Sequence, residues 1–331
     1  MAIANSLSGF LQVYAYKSLP AFLADLPPRD LFVENFDDSI ANEGTAVVTR
    51  IPTTVFGGSL NNLDAGWANQ SATASAVTVT LGTKGLDHTF NVTQWATIGE
   101  QQLLNTFANV LAKQVANGIA VSIMNNVTNS VYTNSVTVAS SSLFTFTGSN
   151  SLQAISTTLD NLEIPQSERY AILTPNAYQS LIGSQGVYQQ YVYGDPTIIR
   201  YNGFKDADGK ALNSSNPGMY LAGFNTFKYA RLNANTAKTP YGGATVSTNG
   251  GIIGFAGNKA GLAFAARTPV TINNPLVQTY TVVDPTSGFP LQFILAFDPS
   301  LPGWRVGVYS LFGSAQGNTN AIVPILATSG V

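Results

Sequence analysis

The sequence predicts an α+β fold, with helices and mostly antiparallel strands in separate stretches of the chain. Three observations carry this. Leu104, Phe107, Leu111, Val115 and Ile119 recur at three- and four-residue steps, the spacing of one apolar stripe on a helix of roughly 25 residues. Alternating patterns gather elsewhere: Val47, Thr49 and Ile51, then Val77, Val79 and Leu81, and late in the chain Leu291, Phe293, Leu295 and Phe297 followed by Trp304, Val306 and Val308. Between them, Tyr170 to Leu173 reads as a short apolar strand. It runs into Thr174 as an N-cap and Pro175 as the first residue of a helix through Tyr178, Leu181 and Ile182.

In chain order, residues 1–45 read as an arm. Pro20, Pro27 and Pro28 are expected to break any long helix there. Asp25, Asp30, Glu34, Asp37, Asp38 and Glu43 face only Arg29, yet Phe22, Leu26, Leu31, Phe32, Val33 and Phe36 are too apolar for a solvated tail. The segment is expected to lie against something, such as another subunit. Residues 46–95 read as a long two-stranded β arm, with a polar tip from Gly57 to Ser75 that contains Trp67. Two-stranded hairpins are marginal alone in water, so this one is expected to rest on a neighbour.

Residues 96–145 begin with Thr97 and Glu100 at capping-box spacing and hold the long helix, about 35–40 Å of strut. Residues 146–265 read as a second compact unit. Leu152, Ile155, Leu159 and Leu162 line one helical face, and the strand–cap–helix step follows. Residues 183–250 are loop-rich except for one strand pattern from Met219 to Leu232. Residues 266–331 are a β-rich close ending on the apolar strand Ala321 to Ala327, and no internal repeat is present.

Composition narrows the function. Of 331 residues, 45% are hydrophobic, enough for a core, but only 10% are charged, against about 25% in ordinary soluble chains. Asn, Thr, Ser and Gln supply the polar surface instead. Amides and hydroxyls cost less to bury than unpaired charges, so this surface suits close contact with neighbours. A secreted or adhesive β protein is the other composition match. A net charge of −2 without a Lys/Arg run argues against gripping nucleic acid through its phosphates, although a shell that encloses DNA needs no basic stripe. The absence of cysteine excludes disulfides and thiolate metal sites. The amino terminus lacks the basic region of a secretion signal, and no stretch reaches the roughly 18 apolar residues that cross a bilayer. A soluble protein made in the cytoplasm is expected.

No catalytic constellation emerges. His88 is the one histidine, placed beside Asp87 in the β arm and far from any nucleophile turn, so a surface or interface role is expected. Asp206-Ala207-Asp208-Gly209 starts like a calcium loop but lacks the third acid and the closing Glu, and reads as a turn. The glycines from Gly250 to Gly257 fit no phosphate or dinucleotide motif and read as turns and tight strand contacts. Asp160, Glu163 and Glu168 form the densest acidic cluster of the second unit, on a polar helix end. No cofactor and no metal are expected.

The order of parts resembles the tailed-phage major capsid proteins of the Hong Kong 97 type. The stretch from Ile164 to Ile182, IPQSERYAILTPNAYQSLI, resembles their axial-domain segment, in which a Pro and an Arg precede an apolar strand and a Pro-initiated helix. Gly44 to Pro52, GTAVVTRIP, is similar to the opening of their extended loop, most of all in the branch of the phage P22 coat protein. Trp304 to Leu326, with Leu311-Phe312-Gly313 at its middle, resembles their closing strand pair.

The resemblance implies an amino-terminal arm (1–45), an extended β-hairpin loop (46–95), a spine helix with peripheral domain (96–145), an axial domain (146–265) and a β-rich return (266–331). It implies hexamers and pentamers in an icosahedral shell around a double-stranded DNA genome, with the hairpin reaching over an adjacent subunit. Trp67, Lys84, Arg50, Arg169 and Tyr178 are the residues it places at assembly contacts, and Lys84 is the one cross-linking candidate. No charge-rich helical segment precedes the arm, so a separate scaffolding protein is expected, beside a portal and decoration proteins. An encapsulin-like compartment would share the fold. A glycan-binding tail or adhesion protein is the rival from another class, and the strut helix argues against it.

Overall fold

The computed structural model describes residues 3–25, 46–52, 74–91, 93–94, 100–138, 144–145, 147–184, 219–229, 232, 251–269, 277–283, 289–298 and 303–327. The polar tip with Trp67, Thr97 of the capping box, the Asp206–Gly209 turn and the rest of the arm after Asp25 lie outside the described residues.

The strut is helix α2 (Glu100–Met124), preceded by helix α1 (Ile3–Asp25). That second fact corrects the reading of the amino-terminal segment, because α1 continues through Pro20. A proline inside a helix costs about 3 kcal/mol. Phe10, Leu11, Tyr14 and Phe22 are all buried on one face of α1. Fully burying a side chain of that size contributes roughly 1.5–3 kcal/mol, so four of them outweigh the proline. They pack within their own subunit: the Tyr14 ring meets Phe293 at 6.0 Å, Phe22 meets Phe289 at 5.3 Å, and the Tyr14 hydroxyl donates to the Phe107 carbonyl of α2 at 3.3 Å.

Under these helices lies a five-stranded sheet of β3 (Gly82–Asn91), β9 (Leu262–Arg267), β10 (Val277–Val283), β11 (Pro290–Asp298) and β12 (Gly303–Gln316), in the order β10-β11-β12-β3. Leu311 pairs with both Thr83 and Arg267, so β9 takes over the edge of β12 that β11 leaves at Tyr309. Alternation then assigns the faces. Phe90, Phe293, Leu295, Val306, Val308 and Phe312 point to α1 and α2 and form the main core. His88 lies on this side too, its ring 6.4 Å from Phe107. Residues 82–91 thus belong to the sheet; expected in the arm, His88 is instead packed on the strut helix.

The second sheet has six strands in the order β4-β13-β8-β5-β7-β6: β4 (Val136–Val138), β5 (Arg169–Leu173), β6 (Met219–Leu221), β7 (Phe224–Lys228), β8 (Gly251–Asn258) and β13 (Ile322–Ala327). Helix α3 (Leu152–Asn161) starts on Ser151, whose hydroxyl accepts from the Ala154 amide at 3.1 Å, and helix α4 (Pro175–Gly183) starts on the expected Thr174 cap. Leu152, Ile155, Leu159, Ala177 and Leu181 join Ala171 and Leu173 in a second core, while Tyr170 and Ile172 face the main one. Strand β5 is therefore buried on both sides, which is why it reads as an unbroken apolar run.

The run from Met219 to Leu232 is not one strand. It folds back at Ala222 and Gly223, both with positive φ, in the two-residue turn that right-twisted hairpins favour. Gly254 and Gly257 of β8 are tight strand contacts, since a Cβ on Gly257 would overlap the Ala321 carbonyl, whereas Gly251 has open space, and no turn interrupts the strand.

Burial holds the phenols of Tyr14, Tyr132 and Tyr170 above their ordinary range, with the Tyr132 charge adding to the shift at Tyr170. The folded state keeps protons that the unfolded chain releases near pH 10, so stability from these groups is intact below that pH and is lost above it. Urea unfolding is expected to show stability falling steeply above about pH 10, by up to ~1.4 kcal/mol per pH unit for each of these tyrosines.

Candidate assembly surface

The β arm is a real hairpin. β1 (Ala46–Pro52) pairs antiparallel with β2 (Ala74–Thr80), from Ala46 opposite Thr80 to Pro52 opposite Ala74. Alternation divides it. Val47, Thr49, Ile51 and Val79 are buried, whereas Val48 is 51% exposed and Ala46, Arg50, Ala76, Thr78 and Thr80 lie open on the outer face. The base of the hairpin is seated on the side of the five-stranded sheet away from the helices: Val47, Val79 and Leu81 pack on Ala263 and Ala265, with Leu311 and Ala315 beside them.

Small residues make this seat. A Cβ on Gly313 would overlap the Thr80 carbonyl oxygen and touch the Val79 side chain. Gly313→Val is expected to lift the hairpin base, costing about 1–3 kcal/mol and opening the segment to protease; chemical denaturation with limited proteolysis checks it. The seam between hairpin and sheet also leaves two polar atoms without partners among the described residues, Thr49 Oγ1 and Arg267 Nη1.

Beyond the seat, among the described residues, no helix covers this side of the sheet. Thr279, Thr281, Ile294, Ala296 and Tyr309 are half-buried on it, with Thr83 and Thr89 exposed. The Tyr309 ring lies over Gly85 and Gly307, where any Cβ would collide with it. One ion pair crosses the face, Arg305 Nε to Asp87 Oδ2 at 2.6 Å. Burial pushes the Tyr309 phenol up and the Asp87 charge adds to that, opposed by Arg305. Apart from that ion pair, a surface of threonine, small apolar residues and an aromatic can be desolvated at low cost.

The five residues expected at assembly contacts fall in different settings. Trp67 lies outside the described residues. Arg50 is exposed on the outer face of β1, opposite Ala76. Lys84 is exposed on β3 but engaged within the subunit: its Nζ donates to Ser122 Oγ at 3.2 Å and sits 5.0 Å from the Phe312 ring centre. Tyr178 is half-buried on α4, its phenol raised by burial and lowered by a hydrogen bond with Thr226.

Arg169 is a correction. Its side chain is 1% exposed and spent inside the second core. Nε donates to the Pro165 carbonyl at 3.0 Å, Nη1 to Ser156 Oγ at 3.3 Å and Nη2 to the Ile164 carbonyl, while Asp160 Oδ1 is 2.7 Å from Nη2. It neutralises the carbonyl end of α3, where a cation is favoured, and does not reach the surface. The Tyr309 platform escaped the sequence reading. Its signal was Gly307 two positions before Tyr309, but pairing with Gly85 depends on register.

No protein-family model and no curated protein matches this chain. Solved structures do. A chain of Mycobacterium phage Ogopogo is 15% identical, with 90% of each chain covered and a TM-score of 0.49. A chain from the capsid structure of the cyanophage P-SCSP1u is 12% identical over 91% of this chain and 94% of that one, at 0.45. A chain from the mature capsid of bacteriophage PhiM1 is 11% identical over 87% and 83%, at 0.47. They do not single out the Hong Kong 97 type or the branch of the phage P22 coat protein.

Among the described residues no group of His, Asp and Glu is placed to hold a metal ion, and no helix is long and apolar enough to cross a membrane. Two described carboxylates of the acidic cluster are paired: Asp160 with Arg169, and Glu168 with Lys259 at 4.0 Å.

Proposed function

We propose that this chain is a tailed-phage major capsid protein of the Hong Kong 97 type, on the branch of the phage P22 coat protein. It has no catalytic role. It assembles into hexamers and pentamers of an icosahedral shell that encloses double-stranded DNA in the virion, after synthesis in the host cytoplasm. The amino-terminal segment, hairpin, spine helix α2, peripheral and axial domains are its working parts. A separate scaffolding protein, a portal and decoration proteins are its partners, and no cofactor is needed.

One observation carries this reading: a hairpin whose inner face, from Val47 to Ile51, is buried within its own subunit while its outer face is open, beside a sheet face that carries one ion pair and that no described helix covers. An isolated two-stranded ribbon is marginal, so a long one is stabilised by contact with another copy. Arg50 and Val48 on its outer face, and Trp67 toward its tip, are the arm residues set at that contact; Tyr178 serves the axial domain.

The test is negative-stain electron microscopy of the protein expressed alone and with candidate scaffolding partners. Closed shells or capsomer rings are expected. Discrete trimers or fibres would overturn both the fold assignment and the function.

A further inference from the structure

We propose that Tyr16 and Tyr280 are an oxidative cross-linking site, two phenols placed to be joined ring to ring by a one-electron oxidant of the peroxidase class. The bond fastens α1 covalently to the edge of the five-stranded sheet, and the site does not rest on the shell reading. Tyr16 stands on the outer side of α1 and is 62% exposed, while Tyr280 is half-buried on β10. Their hydroxyl oxygens are 3.2 Å apart, their ring centres 6.2 Å apart and their planes inclined by 59°. An oxidant reaches this pair from solvent, whereas Tyr14, Tyr132 and Tyr170 are buried.

Both backbones are held in place. Phe10, Leu11, Tyr14 and Phe22 anchor α1 by its inner face, and Tyr280 pairs with Phe293 across β10 and β11. Partners held side by side react as if highly concentrated, so coupling within the chain outruns coupling between chains. Each phenol gives up one electron and one proton to the oxidant, leaving two phenoxyl radicals whose unpaired electrons extend to the ring carbons beside the oxygen. A carbon–carbon bond forms between one Cε of each ring, and the ring hydrogens there move to the oxygens and restore both phenols. Hydrogen peroxide takes up the two electrons and two protons and leaves as two molecules of water. The terminal torsion of a tyrosine is soft, which lets the two Cε atoms turn toward each other. The link joins residues 264 apart in sequence, so it removes much of the freedom of the unfolded chain.

The experiment exposes the full chain, at low concentration, to a peroxidase and hydrogen peroxide, and reads dityrosine fluorescence, intact mass and a peptide map. A monomer lighter by two hydrogens is expected, with the Tyr16 and Tyr280 peptides joined and a yield that does not fall on dilution. Tyr16→Phe and Tyr280→Phe keep a ring at each place. Each is expected to melt like the unsubstituted chain, yet to lose at least about tenfold in dityrosine. The linked chain is expected to unfold at a higher urea concentration than the unlinked one. Absence of dityrosine, an unchanged yield from either variant, or linkage through other tyrosines would overturn the site. So would a yield that falls with dilution, since the link would then lie between copies. An unchanged urea midpoint would overturn the fastening of α1.

Discussion

Removal of residues 57–73 is expected to leave a soluble subunit with unchanged melting temperature that forms no closed particles. The cut spares the paired rungs of the hairpin, whose register runs from Ala46 opposite Thr80 to Pro52 opposite Ala74. It also spares the seat, where Val47, Val79 and Leu81 pack on Ala263 and Ala265. Each strand of seven residues reaches about 20–24 Å, so a shortened ribbon stays attached and folded. On the shell reading, what is lost is the reach over a neighbour. Folding and assembly are thus separated, and the measurement is a melting curve beside electron microscopy. Normal particles from the deletion would remove the arm from the assembly mechanism.

Arg169→Ala is expected to destabilise the protein by about 3 kcal/mol, because truncation strands the Ile164 carbonyl and opens a cavity in a tightly packed core, while Asp160 keeps water and Gln166. Asn258 donates to the Pro165 carbonyl at 3.3 Å and the Ser167 carbonyl at 2.6 Å, so part of the loop stays anchored. Arg169→Met separates the two terms, because it keeps the apolar stem and removes only the hydrogen bonds. Arg169→Lys is expected to recover little, since an ammonium cannot reach carbonyls on several sides as the planar fork does. Urea unfolding of the three variants measures this. Equal stability of Arg169→Met and the native chain would mean that the network contributes nothing net, as happens with some buried ion pairs.

Much of the fold was legible because its elements carry local signals. The stripe from Phe107 to Ile119 marks α2, the face of Leu152, Ile155 and Leu159 marks α3, and the cap at Thr174 places α4, since these depend on residues within one or two turns. Pro20 misled for the opposite reason. Its local cost is real, but burial of Phe10, Leu11, Tyr14 and Phe22 against α2 and the sheet outweighs it, and that term is invisible before the chain folds. The Met219 to Leu232 run misled in a similar way, because Ala222 carries no turn signal and takes its positive φ only with Gly223 beside it.

The candidate assembly surface was less legible. Low charge and an arm-like hairpin were visible in composition and alternation, which are properties of the chain itself. Which face of the hairpin is buried depends on where its base sits, and the seat of Ala263, Ala265 and Gly313 is remote in sequence from Val47 and Val79. Arg169 was expected at an assembly contact because sequence does not reveal whether a charge finds carbonyls at home, and for the same reason the engagement of exposed Lys84 with Ser122 and the Phe312 ring was not visible.

By itself, then, the sequence determined the element types, the two-stranded arm and a surface poor in charge, since propensity, period and composition act locally. Only the tertiary structure decided that α1 folds onto its own subunit, that β5 is shared between two cores, and which charges remain unanswered. Those outcomes turn on register and burial between segments far apart in the chain, where packing terms of several kcal/mol override preferences of a few tenths.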